Sequence, residues 1–237
     1  MQRNIRTVLM ENLKLSKKNK ILVIAAHPDD ELLGCGGTII KLKKTNDVNV
    51  VFLTNGISAR SKDIKAIKKR KSECLQVFKH LNLPKPIILN FPDNELDKIP
   101  LLKIIKKIEQ IIKKLKPNIV FTHYENCLNI DHRIAYQATI TACRPLKTNS
   151  VKTILSFEIL SSTDWAASKN KNFHPNFFIN ITNQIKNKID TLKFYKSELR
   201  KYPHSRSLKA VKALAQLRGT SSGYNYSEGF YLVRHIE

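Results

Sequence analysis

The 237-residue sequence predicts an α/β fold in which helices flank a mostly parallel sheet on both faces. Three observations predict it. Short apolar runs of strand length alternate with longer segments whose apolar positions fall three and four residues apart. The early runs carry apolar residues at both sets of alternating positions, as strands buried on both faces do. The intervening segments are long enough for the helical crossovers that parallel strands need.

Each element follows from its own pattern. "KILVIAA" (20–26), "VNVVFLT" (48–54), "PIILNF" (86–91) and "NIVFTHY" (118–124) read as buried strands. Between them, "TIIKLKK", "DIKAIKKRKSECLQVFKHLN" and "LDKIPLLKIIKKIEQIIKKLK" carry helical spacing. Farther on, "TILSFEIL" (153–160), "FFINIT" (177–182) and the C-terminal "GFYLVRHI" read as strands. "NQIKNKIDTLKFYKSEL" reads as one amphipathic helix, and a last helix is expected from Ser207 to a stop at Gly219. The result is a Rossmann-like three-layer sandwich. With no internal repeat or low-complexity linker, residues 1–237 are expected to form one domain, with 1–19 as an N-terminal extension and 150–237 as a less regular, substrate-side portion.

Composition narrows the function classes. Hydrophobic residues make up 42%, and no run of 18 apolar residues occurs, so no transmembrane helix is expected. The first residues lack a continuous apolar core and a small-residue cleavage site, which makes the cytoplasm the expected compartment. Cys35, Cys74, Cys127 and Cys143 form no CxxC pair and are expected to be reduced thiols. A formal charge of +23 raises nucleic acid as a partner. The lysines, however, spread over helix faces without interleaved aromatics, so solvated faces are the preferred reading. Attraction to an anionic substrate or membrane surface is a weaker alternative. Oligomeric state cannot be read from the sequence.

Ligands in open parallel sheets bind beyond the carboxyl ends of the strands. There the first strand supplies His27, Asp29, Asp30 and Glu31, the second Asn55 and Gly56, the third Asp93 and Asn94, and the fourth His123 and "ENCLNIDHR". The stretch "IAAHPDDELLGCGG" is not a phosphate cradle. Three carboxylates precede its glycines, and GxGxxG spacing is absent. Those glycines are expected to let the turn and helix approach the sheet. A metal accounts for more. His27 and Asp30 lie three apart across a turn, and His132 in "NIDHR" is the candidate third ligand. Three protein ligands plus water suit catalytic zinc or another divalent transition metal. Asp29 would then stand beside the water as general base.

"AAHPDDELLGCGGTI" together with "NIDHR" resembles the PIG-L/LmbE family of zinc-dependent N-deacetylases, which act on N-acetylglucosaminyl conjugates. The resemblance runs to about residue 145. It implies His27, Asp30 and His132 as zinc ligands and Asp29 as general base and then general acid. It implies that Arg70 contacts the sugar or its anionic group, and that Asp93, with Asn94 beside it, meets sugar hydroxyls. Glu31 is expected to buttress the loop, and Asp131 to orient its neighbours. One departure is Asn129, where many members carry histidine. An amide donates to an oxyanion but carries no proton at neutral pH. "CRP", "PHSRS" and the C-terminal segment resemble a branch linked to bacterial surface-sugar pathways, in which His204, Arg206 and Arg218 complete the substrate pocket. The implied partner is a small N-acetyl-sugar substrate, anionic or lipid-linked. A sugar-binding protein that has lost catalysis and a basic nucleic-acid-binding protein are the rival readings.

Overall fold

The computed structural model describes residues 18–56, 63–166 and 172–237. The expected N-terminal extension therefore lies, apart from Lys18 and Asn19, outside the described residues. In chain order the elements are β1 (Lys20–Ala25), α1 (Asp30–Leu42), β2 (Asp47–Thr54), α2 (Ile64–His80), β3 (Ile87–Phe91), a 3₁₀ turn (Leu96–Lys98), α3 (Leu101–Leu115) and β4 (Ile119–His123). There follow α4 (Ile130–Ala142), β5 (Thr153–Phe157), β6 (Phe177–Asn180), α5 (Ile185–Leu192), α6 (Leu208–Thr220) and β7 (Ser227–His235).

Among the described residues, seven strands lie in the order β3-β2-β1-β4-β5-β7-β6. Neighbours from β3 through β5 pair in parallel, and β7 runs antiparallel to both β5 and β6. The chain thus winds outward from β1 in one direction through β2 and β3 and in the other through β4 and β5. That reversal opens a crevice at the carboxyl ends of β1 and β4.

Alternation along β1 shows why the runs are apolar on both faces. Ile21, Val23 and Ala25 join one core with residues of α1, α2, α5 and α6. Leu22, Ile24 and Ala26 join the opposite core, with α3 and α4. In α3, Ile104, Ile105, Ile108, Ile111 and Ile112 are buried, whereas Lys106, Lys107, Lys113 and Lys114 are exposed. Each buried isoleucine contributes about 1.5–3 kcal/mol by leaving water. The lysine runs are the solvated backs of such helices.

The glycines after the first strand are packing residues, as expected. A Cβ on Gly34 would stand 2.3 Å from the Phe157 ring, and one on Gly37 would stand 2.7 Å from Ile181. Helix α1 is kinked at Cys35 (φ −143°, ψ 25°), and its second half begins anew at the glycines. There the Gly37 and Thr38 N–H groups donate to the Glu228 carboxylate at 2.8 and 2.7 Å. Lys188 Nζ completes the pair at 2.7 Å and also donates to the Leu33 carbonyl. The helix N-terminus does hold an anion, and it is the chain's own.

The helix expected over "NQIKNKIDTLKFYKSEL" is shorter than its pattern. It ends at Leu192, and residues 194–199 form successive turns. The buried polar groups of the site explain the stop. Tyr195, Ser197 and Glu198 each turn inward to bond Glu31, Glu73 or an arginine, which one continuous helical face cannot do.

Candidate active site

The site is built on the turn that leaves β1. Ala26 N donates to His123 Nε2 at the end of β4, and the Ala26 carbonyl accepts from Thr54 at the end of β2. The turn then doubles back. His27 N donates to Asp30 Oδ2 at 2.9 Å, and Asp29 takes φ 121°, a conformation costly for any residue with a Cβ. Glu31 holds it there. Its Oε2 accepts from Asp29 N at 2.9 Å, and its Oε1 accepts from the Tyr195 hydroxyl at 2.6 Å. Burial pushes the Glu31 carboxyl up to about 8 despite those bonds.

His132 arrives from the first turn of α4. Asn129 caps that helix, its Oδ1 accepting from Asp131 N at 2.8 Å and His132 N at 3.4 Å. Its Nδ2 donates to Asn94 Oδ1 at 2.9 Å. Asn129, expected to face an oxyanion, lines the cavity and is also the cap of this helix. The exposed N–H groups of the helix start claim the side-chain oxygen, and the amide nitrogen ties down a neighbouring loop.

Three donor atoms converge. His27 Nδ1 lies 3.2 Å from Asp30 Oδ2 and 3.3 Å from His132 Nε2, which lies 3.4 Å from Asp30 Oδ2. Zinc holds nitrogen and oxygen at about 2.0–2.2 Å, which places donors on one tetrahedral face about 3.3–3.6 Å apart. The observed triangle, with sides of 3.2, 3.3 and 3.4 Å, is at the short end of that size. Asp30 Oδ1 is buried without a hydrogen-bond partner among the described residues. The three side chains are buried, so a cation there would be shielded from bulk water. The donor set and its spacing fit a divalent metal.

Electrostatics agree. Burial alone would lower His27, but hydrogen bonds to Asp131, Asp30 and Asp93 hold it well above its ordinary value. His132 rises to about 9, burial being outweighed by Asp30 and Cys127. Burial opposes the Asp30 charge, yet His132 and His123 keep its carboxyl well below the usual range. The Asp30 charge is thus balanced by the imidazoles around it.

A second layer orients these groups. His27 Nε2 faces Asp93 Oδ1 at 3.0 Å and Asp131 Oδ2 at 3.1 Å. Asp131 also accepts from Asn94 N at 2.7 Å and Leu96 N at 3.0 Å, tying the loop after β3 to the imidazole. These are the contacts that an orienting role for Asp131 would need. His27, Asp93 and Asp131 form a second group with metal-ligand spacing.

Asp29 stands beside the triangle between two arginines. Its Oδ1 lies 3.3 Å from Arg70 and its Oδ2 3.3 Å from Arg206. Burial raises its carboxyl to about 6, with Arg70 and Arg206 opposing the rise. Arg70 was expected to reach substrate. It lines the cavity, but it is 1% exposed and its guanidinium faces Asp29, Glu73 and Glu198 while donating to the Pro28 carbonyl. Its place is behind the acid. Arg206 also bonds Glu198 and Ser161, and His204 Nδ1 accepts from Arg206 N.

A cavity of ≈ 260 Å³ opens over this group, lined by His27, Asp29, Asp93, Asn94, Asn129 and residues of two later loops. His204 and Arg206 line it. Arg218 does not; it pairs with Glu158 at 2.7 Å beside another cavity. Several contacts were not foreseen. His123 stacks on His132 at 3.9 Å, and Cys127 Sγ lies 3.1 Å from His132 Nδ1. Ser161, Trp165, Glu198 and Arg200 complete the cavity wall.

With this geometry in hand, comparison with known proteins decides the family. Residues 22–143, just over half of the chain, match the model of the family described as PIG-L, GlcNAc-PI de-N-acetylase. The chain belongs to the PIG-L family. Its relatives include the Escherichia coli protein named uncharacterized deacetylase YaiS, 31% identical over 80% of this chain and 98% of the relative. Diacetylchitobiose deacetylase of Thermococcus kodakarensis is 26% identical over 92% of this chain and 84% of its own. In fold, the chain is similar to N,N′-diacetylchitobiose deacetylase from Pyrococcus horikoshii, with TM-score 0.76 at 23% identity, covering 97% of this chain and 90% of that one. The match from 22 to 143 holds both halves of the candidate metal group of this PIG-L chain.

Proposed function

We propose that this protein is a zinc-dependent hydrolase that removes the N-acetyl group from an N-acetylated amino sugar or sugar conjugate, releasing acetate. The observation that carries this reading is the His27, Asp30 and His132 triangle with Asp29 beside it, at the open end of the sheet. Deacetylases among the relatives support the reaction class. A bound zinc ion would supply Lewis-acid polarisation of the acyl oxygen and acidify a water molecule.

The chain's own residues do the rest. Asp29, with a carboxyl near 6, accepts the proton of the attacking water on a carboxylate oxygen and returns it to the departing amine. Arg70 and Arg206 hold that carboxylate in place from either side. Asp93 and Asp131 keep the His27 ring turned so that Nδ1 faces the triangle. Asp93, Asn94, His204 and Arg206 line the cavity and are placed to meet the polar rim of a sugar.

Two measurements test the proposal together. The purified protein should carry about one zinc per chain and release acetate from at least one N-acetyl-sugar conjugate, with the activity lost on chelation and restored by zinc. Zinc-loaded protein that releases acetate from none of a broad panel would favour the sugar-binding reading. The basic surface gives little support to the nucleic-acid reading, because among the described residues the exposed lysines of α2 and α3 lie on opposite faces of the sheet.

A further inference from the structure

Trp165 is the chain's sole tryptophan, and it is 49% exposed. It lies in the turns after β5 and lines the same cavity as His27 and Asp29. A large ring left half in water belongs to neither core, and the wall around it is made of acids, amides, a hydroxyl and basic side chains. A half-exposed indole in such a wall calls for an explanation.

Its setting is built rather than loose. The indole meets the His204 ring edge-to-face, centroids 5.4 Å apart at 66°. His204 is itself fixed, its Nδ1 accepting from Arg206 N at 3.0 Å. Asp164, next in sequence, accepts from Ser162 N with one oxygen and from the Ser205 hydroxyl with the other, at 3.0 and 2.9 Å. Trp165 and the loop at 201–206 therefore form one corner, and Arg206 carries that corner to Asp29.

A pyranose ring is amphipathic in a specific way. Its hydroxyls and acetamido group point outward around the rim, and its C–H bonds leave two apolar faces. The rim suits the polar lining of this cavity. A face needs a flat apolar surface, and the indole supplies one with little conformational entropy to lose.

We propose that Trp165 is the platform for the substrate's sugar, stacking on the C–H face of a closed pyranose ring while the acetamido group points toward His27 and Asp29. The inference rests on the deacetylase reading and narrows its substrate class to ring-closed sugars, excluding open-chain acetamides. It makes Trp165 a specificity-determining residue on a segment outside the family match at 22–143.

Because Trp165 is the sole tryptophan, indole emission reports on this residue alone. Zinc-loaded protein should show a saturable change in emission with N-acetylglucosamine or N,N′-diacetylchitobiose, and none with acetamide or sorbitol. In acetate release, Trp165→Ala should raise KM about fivefold to tenfold with kcat nearly unchanged, the loss of about one stacking contact. Trp165→Phe should restore most of it. Acetate release with unchanged KM in Trp165→Ala, or pyranose binding by calorimetry without any change in emission, would overturn the proposal and leave the deacetylase reading intact. A saturable emission change without acetate release would do the reverse. Emission unmoved by every pyranose, with no calorimetric binding, would overturn both.

Discussion

Replacing Asp131 with asparagine should weaken the metal group without touching any of its three donors. Asp131 is fully buried, and its carboxylate receives three neighbours: His27 Nε2 at 3.1 Å, Asn94 N at 2.7 Å and Leu96 N at 3.0 Å. Asparagine has one acceptor oxygen on its side chain, and its other end is an N–H₂ donor. If the oxygen keeps His27 and Asn94, the Leu96 N–H is left facing a donor in the interior. If the amide flips, two groups are left instead. The smaller of these costs is one buried unsatisfied N–H, about 1–3 kcal/mol. At about 2–4 °C per kcal/mol for a chain of this size, Tm should fall by about 2–12 °C. Loss of the negative charge behind His27 should also lower zinc affinity about 10–100-fold, as for other partners of metal-ligating imidazoles. Competition with a chromogenic chelator measures the affinity, and calorimetry measures Tm. An Asp131→Asn variant that binds zinc within about twofold of wild type would refute the orienting role.

Asp29→Asn should keep its zinc, since Asp29 is outside the donor triangle, while kcat for acetate release falls about 10²–10⁴-fold with the loss of proton transfer; metal analysis beside kinetics separates the two effects. Gly37→Ala should lower stability by about 1–3 kcal/mol in urea titration, because its Cβ would meet Ile181 at 2.7 Å in a packed interface. Exchanging the exposed Lys107 and Lys114 of α3 for glutamate should shift stability by no more than about 0.5 kcal/mol each and leave acetate release unchanged. A large loss of activity in that double variant would mean the basic surface takes part in function.

Much of the site was legible because its residues follow strands whose burial is written in their composition. "ILVIA" must be covered on both faces, so whatever comes next stands at the sheet's open end, and His27, Asp29 and Asp30 come next. His132 was legible for the same reason at β4. Contacts between segments far apart in sequence were not. Nothing local in Glu228 says that it will fill the helix start at Gly37, and nothing in "DTLKFYKSEL" says that the helix will break so that Tyr195 and Glu198 can turn inward. Asn129 was read for the chemistry of its amide, whereas its place one residue before α4 makes it a cap. His123 was visible as a polar residue ending a buried strand, but its stacking on His132 depends on how β4 meets α4. Trp165 carried no periodic signal, because it sits in turns.

The central claim is that the metal sits on one particular face of His27, the Nδ1 side shared with Asp30 and His132. The chain offers an alternative on the Nε2 side, between Asp93 and Asp131. Anomalous diffraction at the zinc edge from crystals of the zinc-loaded protein distinguishes them directly. One peak is expected about 2.0–2.2 Å from His27 Nδ1, Asp30 Oδ2 and His132 Nε2. A peak on the Nε2 side instead, or none near His27, would contradict the claim.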